Sequence, residues 1–187
     1  MKKRIQDIAK VRSGIYMTEV PDGEIACLQV SDFDRKLNQF ITPAPSLALN
    51  SRTKNHLLTK GDLILAAKGN YNFCTVFSKK MGKMVASSAF LVIQIQDKTM
   101  ISPDYLCWIL NREDTQAFLK ANAIGTSMPS IGKTLIEALE VNIPLIDIQN
   151  KIVQIAGLQQ REQQLHEEIS SLRHQLIHYK LYKSTKL

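Results

Sequence analysis

Apolar residues change their spacing along this chain, and the change divides it in two. As far as residue 146 they come in short blocks separated by turn-forming residues; from Ile148 they recur at helical spacing almost to the C-terminus. In the first part, Ile5, Ile8, Ala9 and Val11 predict a short helix or turn ahead of Ser13-Gly14. Residues 16–20 read as a strand, Pro21-Asp22-Gly23 as a tight turn and residues 25–30 as the antiparallel partner, together a hairpin. A polar loop over 31–36 follows, and Pro43 and Pro45 leave the segment up to Asn50 unassigned. Lys60-Gly61-Asp62 turns into an apolar strand over 63–67, with a loop at 68–72, a return strand at 75–77 and a basic turn at 79–83. The β-branched run 85–96 predicts a central strand. Ser102 as cap and Pro103 in the first turn open a helix in which Tyr105, Leu106, Ile109 and Leu110 recur at helical spacing and Trp108 adds bulk. A second helix is expected over 115–123, and a last short apolar strand, 139–143, ends at Pro144, which has no N–H to give a sheet. Asp147 then stands where a helix N-cap belongs.

In the second part, Leu158, Glu162, Leu165, Ile169, Leu172, Leu176, Tyr179 and Lys183 alternate in steps of four and three, a heptad seam interrupted by Glu162. Ile148, Ile152 and Ile155 keep the same alternation three residues out of phase, which overwinds a coil locally. At about 1.5 Å per residue, residues 148–183 span roughly 54 Å as one helix. A domain of this size cannot cover so long a seam. It needs another helix, from a second copy or from a different protein.

A length of 187 residues with 44% hydrophobic positions and a mean hydropathy of −0.12 allows one domain plus an extension. The apolar runs are too short to span a membrane and the opening MKKRIQDIAK lacks the apolar core of a signal peptide, so the cytoplasm is the expected location. Cys27, Cys74 and Cys107 are widely separated and without CxxC spacing, which points to neither a disulfide framework nor zinc; at least two of them are expected as buried packing residues. The net charge of +7 is uneven: residues 1–80 hold 13 Lys/Arg against 7 Asp/Glu, residues 81–146 hold 5 against 6, and residues 147–187 hold 6 against 4. A basic first half suits a polyanionic partner, and a solvated basic face with no partner produces the same excess.

Two loops concentrate chemistry. Lys68, Asn70, Tyr71 and Asn72 offer an ammonium, amides and an aromatic face: Asn suits a bidentate contact to adenine, Lys a guanine or phosphate, Tyr stacking. A plain hairpin turn uses Gly and Asn as well. Around Gly125, the small donors Thr126, Ser127 and Ser130, with Lys133 beyond them, suit phosphate, with helix capping as the structural alternative. Arg35, Lys36, Arg52 and Lys54 are generic cations, as readily solvated as ligand-facing. Catalytic signatures are missing: no Walker loop, no acidic-acidic-Lys nuclease cluster and no Asn/Asp-Pro-Pro-aromatic methyltransferase motif occurs. His174 and His178 are spaced for a metal on one helix face but lack a third ligand and, with His166, read as solvent-facing.

The ordered set of Gly61-Asp62-Leu63-Ile64, the Gly125-Thr126-Ser127 loop, Ile131 with Lys133-Thr134, the strand ending in Ile143-Pro144, then Gln149 and Lys151-Ile152-Val153, resembles the target-recognition domain of type I restriction-modification DNA-specificity subunits. The resemblance implies an α/β (α+β) fold with a mixed or antiparallel sheet and packed helices over 1–146, followed by a coiled-coil dimerisation or spacer helix over 147–187. It implies a non-catalytic subunit that binds double-stranded DNA and directs a DNA adenine methyltransferase subunit and a restriction/translocase subunit to a bipartite site. S-adenosylmethionine, ATP and Mg are then expected only on those partners. DNA contacts are expected from Ser13, Arg35, Lys36, Arg52, Lys54, Lys68, Asn70, Tyr71, Asn72, Thr126, Ser127, Ser130 and Lys133. The family pattern is two units in tandem and this chain holds one, so a homodimer through Leu158, Leu165, Ile169, Leu172, Leu176 and Tyr179 is expected, with a truncated or fused remnant that needs a second specificity chain as the alternative. The rival reading is a protein-interaction adaptor whose coiled coil binds a partner helix and whose basic face is incidental.

Overall fold

The structure, a computed structural model, describes residues 1–34, 39–78 and 81–185. It divides into two compact units, Met1–Gln149 and Asn150–Leu187. In chain order the strands and helices are β1 (Lys2–Arg4), β2 (Ala9–Ser13), β3 (Ile25–Leu28), β4 (Phe33–Asp34), β5 (Gln39–Phe40), β6 (Pro45–Leu47), α1 (Ser51–His56), β7 (Leu63–Ala66), β8 (Cys74–Val76), β9 (Met84–Ala86), β10 (Phe90–Ile95), α2 (Pro103–Asn111), α3 (Glu113–Ala121), α4 (Lys133–Ala138), β11 (Glu140–Asn142) and α5 (Ile146–Ser184).

Two sheets carry the first unit. One is antiparallel, in the order β2-β10-β7-β8; the other is mixed, in the order β6-β3-β9, with β3 parallel to β9. Alternate residues of a strand point to opposite faces. Ile64 and Ala66 of β7 and Phe90 and Val92 of β10 therefore share a core with Ala26, Leu28, Met84 and Ala86 of the mixed sheet. Leu63, Leu65, Leu91 and Ile93, equally buried, face the other way, and α2 packs against the edge strand β8. Ile25, Cys27 and Val85 use the second face of the mixed sheet to bury Ile15 and Leu47.

The expected hairpin of residues 16–20 with 25–30 does not form. Residues 16–20 are irregular and largely exposed, while β3, apolar at every position and buried throughout, takes the centre of the mixed sheet between β6 and β9. A fully apolar strand gains more from two partners than from one exposed turn-mate. The expected single strand over 85–96 is likewise two, β9 and β10, separated by a turn in which Phe90 N–H donates to Ser87 O at 3.0 Å, so that each half enters a different sheet. The opening helix is only a 3-10 turn over Ile5–Asp7, flanked by β1 and β2. Pro103–Asn111 is the helix expected there, and Ser102 Oγ accepts from Tyr105 N at 3.1 Å. Cys27 and Cys74 are buried, and all three cysteines are free.

Elements unassigned from sequence are built by local polar contacts. Asn50 and the buried Thr53 cap α1 reciprocally, each side chain accepting the other's backbone N–H at 2.9 and 2.8 Å. At the far end of α1, Arg12 reaches from β2 and donates to the carbonyls of His56 and Leu57 at 3.2 and 3.1 Å. The buried carboxylate of Asp62 accepts from Thr59 N–H, Thr59 O–H and Gln94 at 3.0, 2.8 and 3.0 Å. On the sheet edge, Asn111 mimics a missing strand: its Oδ1 accepts Cys74 N–H at 2.8 Å and its Nδ2 donates to Cys74 O at 2.7 Å.

α5 begins at Ile146, so Asp147 lies in its first turn and is not the cap. Gln149, fully buried, accepts from Ser102 N–H at 2.9 Å and donates to Met100 O at 2.9 Å and Pro144 O at 2.8 Å. Further along the helix Leu158, Leu165, Ile169, Leu172, Leu176 and Tyr179 are all exposed, from 40% at Leu165 to 72% at Leu158. Among the described residues no helix is long and apolar enough to cross a membrane.

Gln149→Leu leaves one N–H and two carbonyls without their partner and is expected to cost about 3 kcal/mol, a fall in Tm of roughly 6–12 °C for a unit of this size; calorimetry checks it. A second expectation concerns acid. Burial, then the charges of Arg12 and Arg52, lower the His56 pKa, and its Nδ1 lies 3.1 Å from Arg12 Nη1. The unfolded chain thus takes up the proton more readily than the folded one. Stability from this residue is complete above the ordinary histidine value of about 6.5 and is lost as pH falls through the lowered folded value. Denaturant midpoints measured against pH are expected to fall on that limb, and His56→Gln to flatten it.

Candidate nucleic-acid interface

The two loops that stand out chemically lie far apart in sequence and are joined by main-chain hydrogen bonds. Gly69 N–H donates to Pro129 O at 2.9 Å and Ile131 N–H to Ala67 O at 2.7 Å, while Lys68 and Ser130 form an antiparallel bridge. The 124–130 loop closes on itself through Ile124 N–H to Ser130 O at 3.0 Å and Ser130 N–H to Ile124 O at 2.9 Å. The other side of the joint is the β9–β10 turn, whose Ala89 carbonyl accepts from Ala67 and Lys68 N–H at 2.9 and 3.3 Å. Positive φ angles of +97° at Gly69 and +104° at Gly125 make this path accessible to glycine and costly for other residues. At Gly125 a Cβ would also approach Met128 O at 3.1 Å.

An aromatic cluster supports the 68–72 loop from below. Tyr71, 39% exposed, has its ring 5.5 Å from Phe73; Phe73 stacks on Phe33 at 3.8 Å and lies 5.9 Å from Phe40. Phe33 and Phe40 are a cross-strand pair of the β4–β5 hairpin. Ser13 ends β2 opposite Leu91, and Gly14 N–H donates to Phe90 O at 2.9 Å, so Ser13 sits at the same end of the sheet as the C-terminus of β7, which pairs there with Phe90.

The structure therefore brings Ser13, Lys68, Asn70, Tyr71, Thr126, Ser127 and Ser130 to one end of the antiparallel sheet. Other candidate residues are engaged within the fold. Asn72 donates its side-chain amide to Ala66 O at 2.9 Å and braces the loop. Ser130 contributes its main chain to the bridges, and Lys133, in the first turn of α4, pairs with Glu137 at 3.4 Å. Lys68, Asn70, Thr126 and Ser127 are exposed. Arg52 and Lys54 are exposed on α1, which packs on β9 of the other sheet. Arg35 and Lys36 lie outside the described residues.

Charge matches the geometry. Residues 66–76 hold Lys68 and no Asp or Glu, and residues 122–132 hold no charged side chain, so the joined surface offers donors and the charge of Lys68 to a ligand rich in acceptors. Sequence reading misses Ile124 and Met128, which are 78% and 66% exposed. An apolar residue in a loop carries no local signal that it stays in water. Among the described residues no group of three or more His, Cys, Asp or Glu is placed to hold a metal ion.

The family described as type I restriction modification DNA specificity domain matches residues 1–171. The fold is similar to that of a type I restriction-modification system S subunit from M. genitalium, with 13% identity, a TM-score of 0.57 and coverage of 84% of this chain and 38% of that one. It is similar also to the HsdS subunit from Thermoanaerobacter tengcongensis, with 15% identity, a TM-score of 0.61 and coverage of 88% and 37%. A third likeness, to a chain from a study of complex assembly and conformational transition in the type I R-M system, has 15% identity, a TM-score of 0.55 and coverage of 88% and 38%. This chain thus spans well under half the length of those solved subunits. No curated protein matches it significantly.

Gly125→Ala is expected to cost about 1–2 kcal/mol through the positive φ and the contact with Met128 O, and so to lower Tm by about 2–8 °C. Thr126→Ala and Ser127→Ala, at exposed positions, are expected to leave Tm unchanged. Parallel melting curves separate framework from exposed donors.

Proposed function

We propose that this chain, which belongs to the type I restriction modification DNA specificity domain family, is a single-unit specificity subunit that reads double-stranded DNA through the joined 68–72 and 124–130 loops. One observation carries the reading: two donor-rich, acid-free loops from distant parts of the chain are held together on one sheet end by main-chain bonds. A rigid platform of this kind suits recognition, because binding then orders little that was loose beforehand.

Roles follow from chemistry. Lys68 neutralises a phosphate; Asn70 takes an adenine edge; Tyr71 packs on sugar or base; Thr126 and Ser127 donate to phosphate oxygens. Ser13 contributes at the margin, Asn72, Ser130 and Lys133 hold the loops in shape, and Arg35, Lys36, Arg52 and Lys54 add long-range attraction. The family role is recognition and not catalysis. The chain then directs a DNA adenine methyltransferase subunit and a restriction/translocase subunit, which carry the S-adenosylmethionine, ATP and Mg chemistry.

The exposed seam of Leu158, Leu165, Ile169, Leu172, Leu176 and Tyr179 holds a second copy of this chain, with residues 1–146 as the reader and 147–187 as dimerisation and spacer helix. Two-fold symmetry makes the target two inverted half-sites with a spacer set by helix length.

The test is selection from a pool of random duplex DNA at moderate salt, with the molecular mass recorded on the same sample. A split, inverted motif bound by a dimer is the expected result. Monomer at tens of micromolar removes the symmetric assembly, and a well-folded protein that enriches nothing with or without a methyltransferase subunit leaves an adaptor. On the selected site, Lys68→Gln is expected to weaken all sequences alike and to reduce the log–log salt slope by about 0.9. Asn70→Ala is expected to relax one base position, with a loss of about 5- to 150-fold on the preferred base.

A further inference from the structure

Resting on that reading, we propose that Ile124 and Met128 are specificity-determining residues that read the C5-methyl groups of thymine in the major groove.

Their exposure is the starting observation. Ile124 is 78% exposed and Met128 66%, yet the loop that carries them is braced by the paired Ile124–Ser130 bonds, by Gly69 to Pro129 and by Ile131 to Ala67. A braced backbone cannot fold these side chains away from water, so their apolar surface stays available to a ligand. The turn is tight: the Met128 carbonyl lies 3.1 Å from where a Cβ on Gly125 would stand, and the exposed Thr126 and Ser127 lie between Ile124 and Met128 in the chain.

The surroundings choose among apolar occupants. A protein-docking patch is contiguous and apolar at its centre. Here Ile124 and Met128 flank the exposed hydroxyls of Thr126 and Ser127 in the chain, the joined loop adds the exposed Lys68 and Asn70, and neither loop holds an acid. In a duplex, apolar groups set singly among hydrogen-bond acceptors and phosphates are the thymine methyls of the major groove. Met128, unbranched and flexible, adapts to the height of a methyl; Ile124, β-branched and stiff, presents a fixed surface.

The test replaces thymidine by deoxyuridine, one position at a time, in the duplex selected by the full-length protein. This removes the methyl and leaves the hydrogen-bonding edge unchanged. Burial of one methyl is worth about fourfold in affinity. We expect about that loss at one or two positions per half-site, absent at the corresponding position in Met128→Ala and in Ile124→Ala, with melting temperatures unchanged because both side chains are exposed. The proposal is overturned by a selected site without thymine in either half, by tolerance of deoxyuridine at every position, or by the same penalty in the doubly substituted protein. Any of these leaves DNA reading itself intact, since a site was enriched. Failure to enrich any sequence, with or without a methyltransferase subunit, overturns both together.

Discussion

The surface at the end of the antiparallel sheet depends on main-chain hydrogen bonding between residues 67–69 and 129–131. The large apolar side chains of the 124–130 loop, Ile124 and Met128, stay in water, so no hydrophobic core fixes its shape. Backbone donors and acceptors do so instead, by extending β7 beyond its last strand residue to meet a segment more than fifty positions later in the chain. Recognition chemistry can therefore sit on small residues. Their side chains are left for a ligand because their main chain supplies the structure.

The same economy runs through the first unit. Asp62, Thr53 and Gln149 are buried polar groups, each with hydrogen-bond partners in place. A buried polar group left unpaired costs more than a made bond returns, so each acts as a specification: Asp62 orders the turn into β7, Thr53 the start of α1, and Gln149 the first turn of α5 against residues 100–102 and 144. Arg12 belongs to this group as well, a cation from the basic half of the chain that is spent on carbonyls of the α1 C-terminus. Positive charge in sequence is not yet positive charge facing a ligand.

Much of this was legible beforehand. The α2 helix, the apolar strand β7, the last strand before Pro144 and the long helix follow from periodicity and from Pro, Ser and Gly as punctuation. The two loops were recognisable as places where chemistry concentrates. The hairpin of residues 16–20 with 25–30 was not there, because a turn signal says that the chain reverses and not which strand finally pairs with which. Likewise the run 85–96 gave no local sign of its break, since the residues at 87–89 are small and suit a strand almost as well as a turn.

By itself the sequence determined the kinds of element, the heptad seam and the donors collected at residues 68–72 and 125–130, because periodicity and residue chemistry are local properties. Only the tertiary structure decided that these loops share one surface, that Asn72 and Lys133 are engaged within it while Lys68, Asn70, Thr126 and Ser127 are exposed, and that Ile124 and Met128 stay in water. Those outcomes rest on contacts between residues distant in the chain, and hydrophobicity tells a residue whether to be buried but not against what.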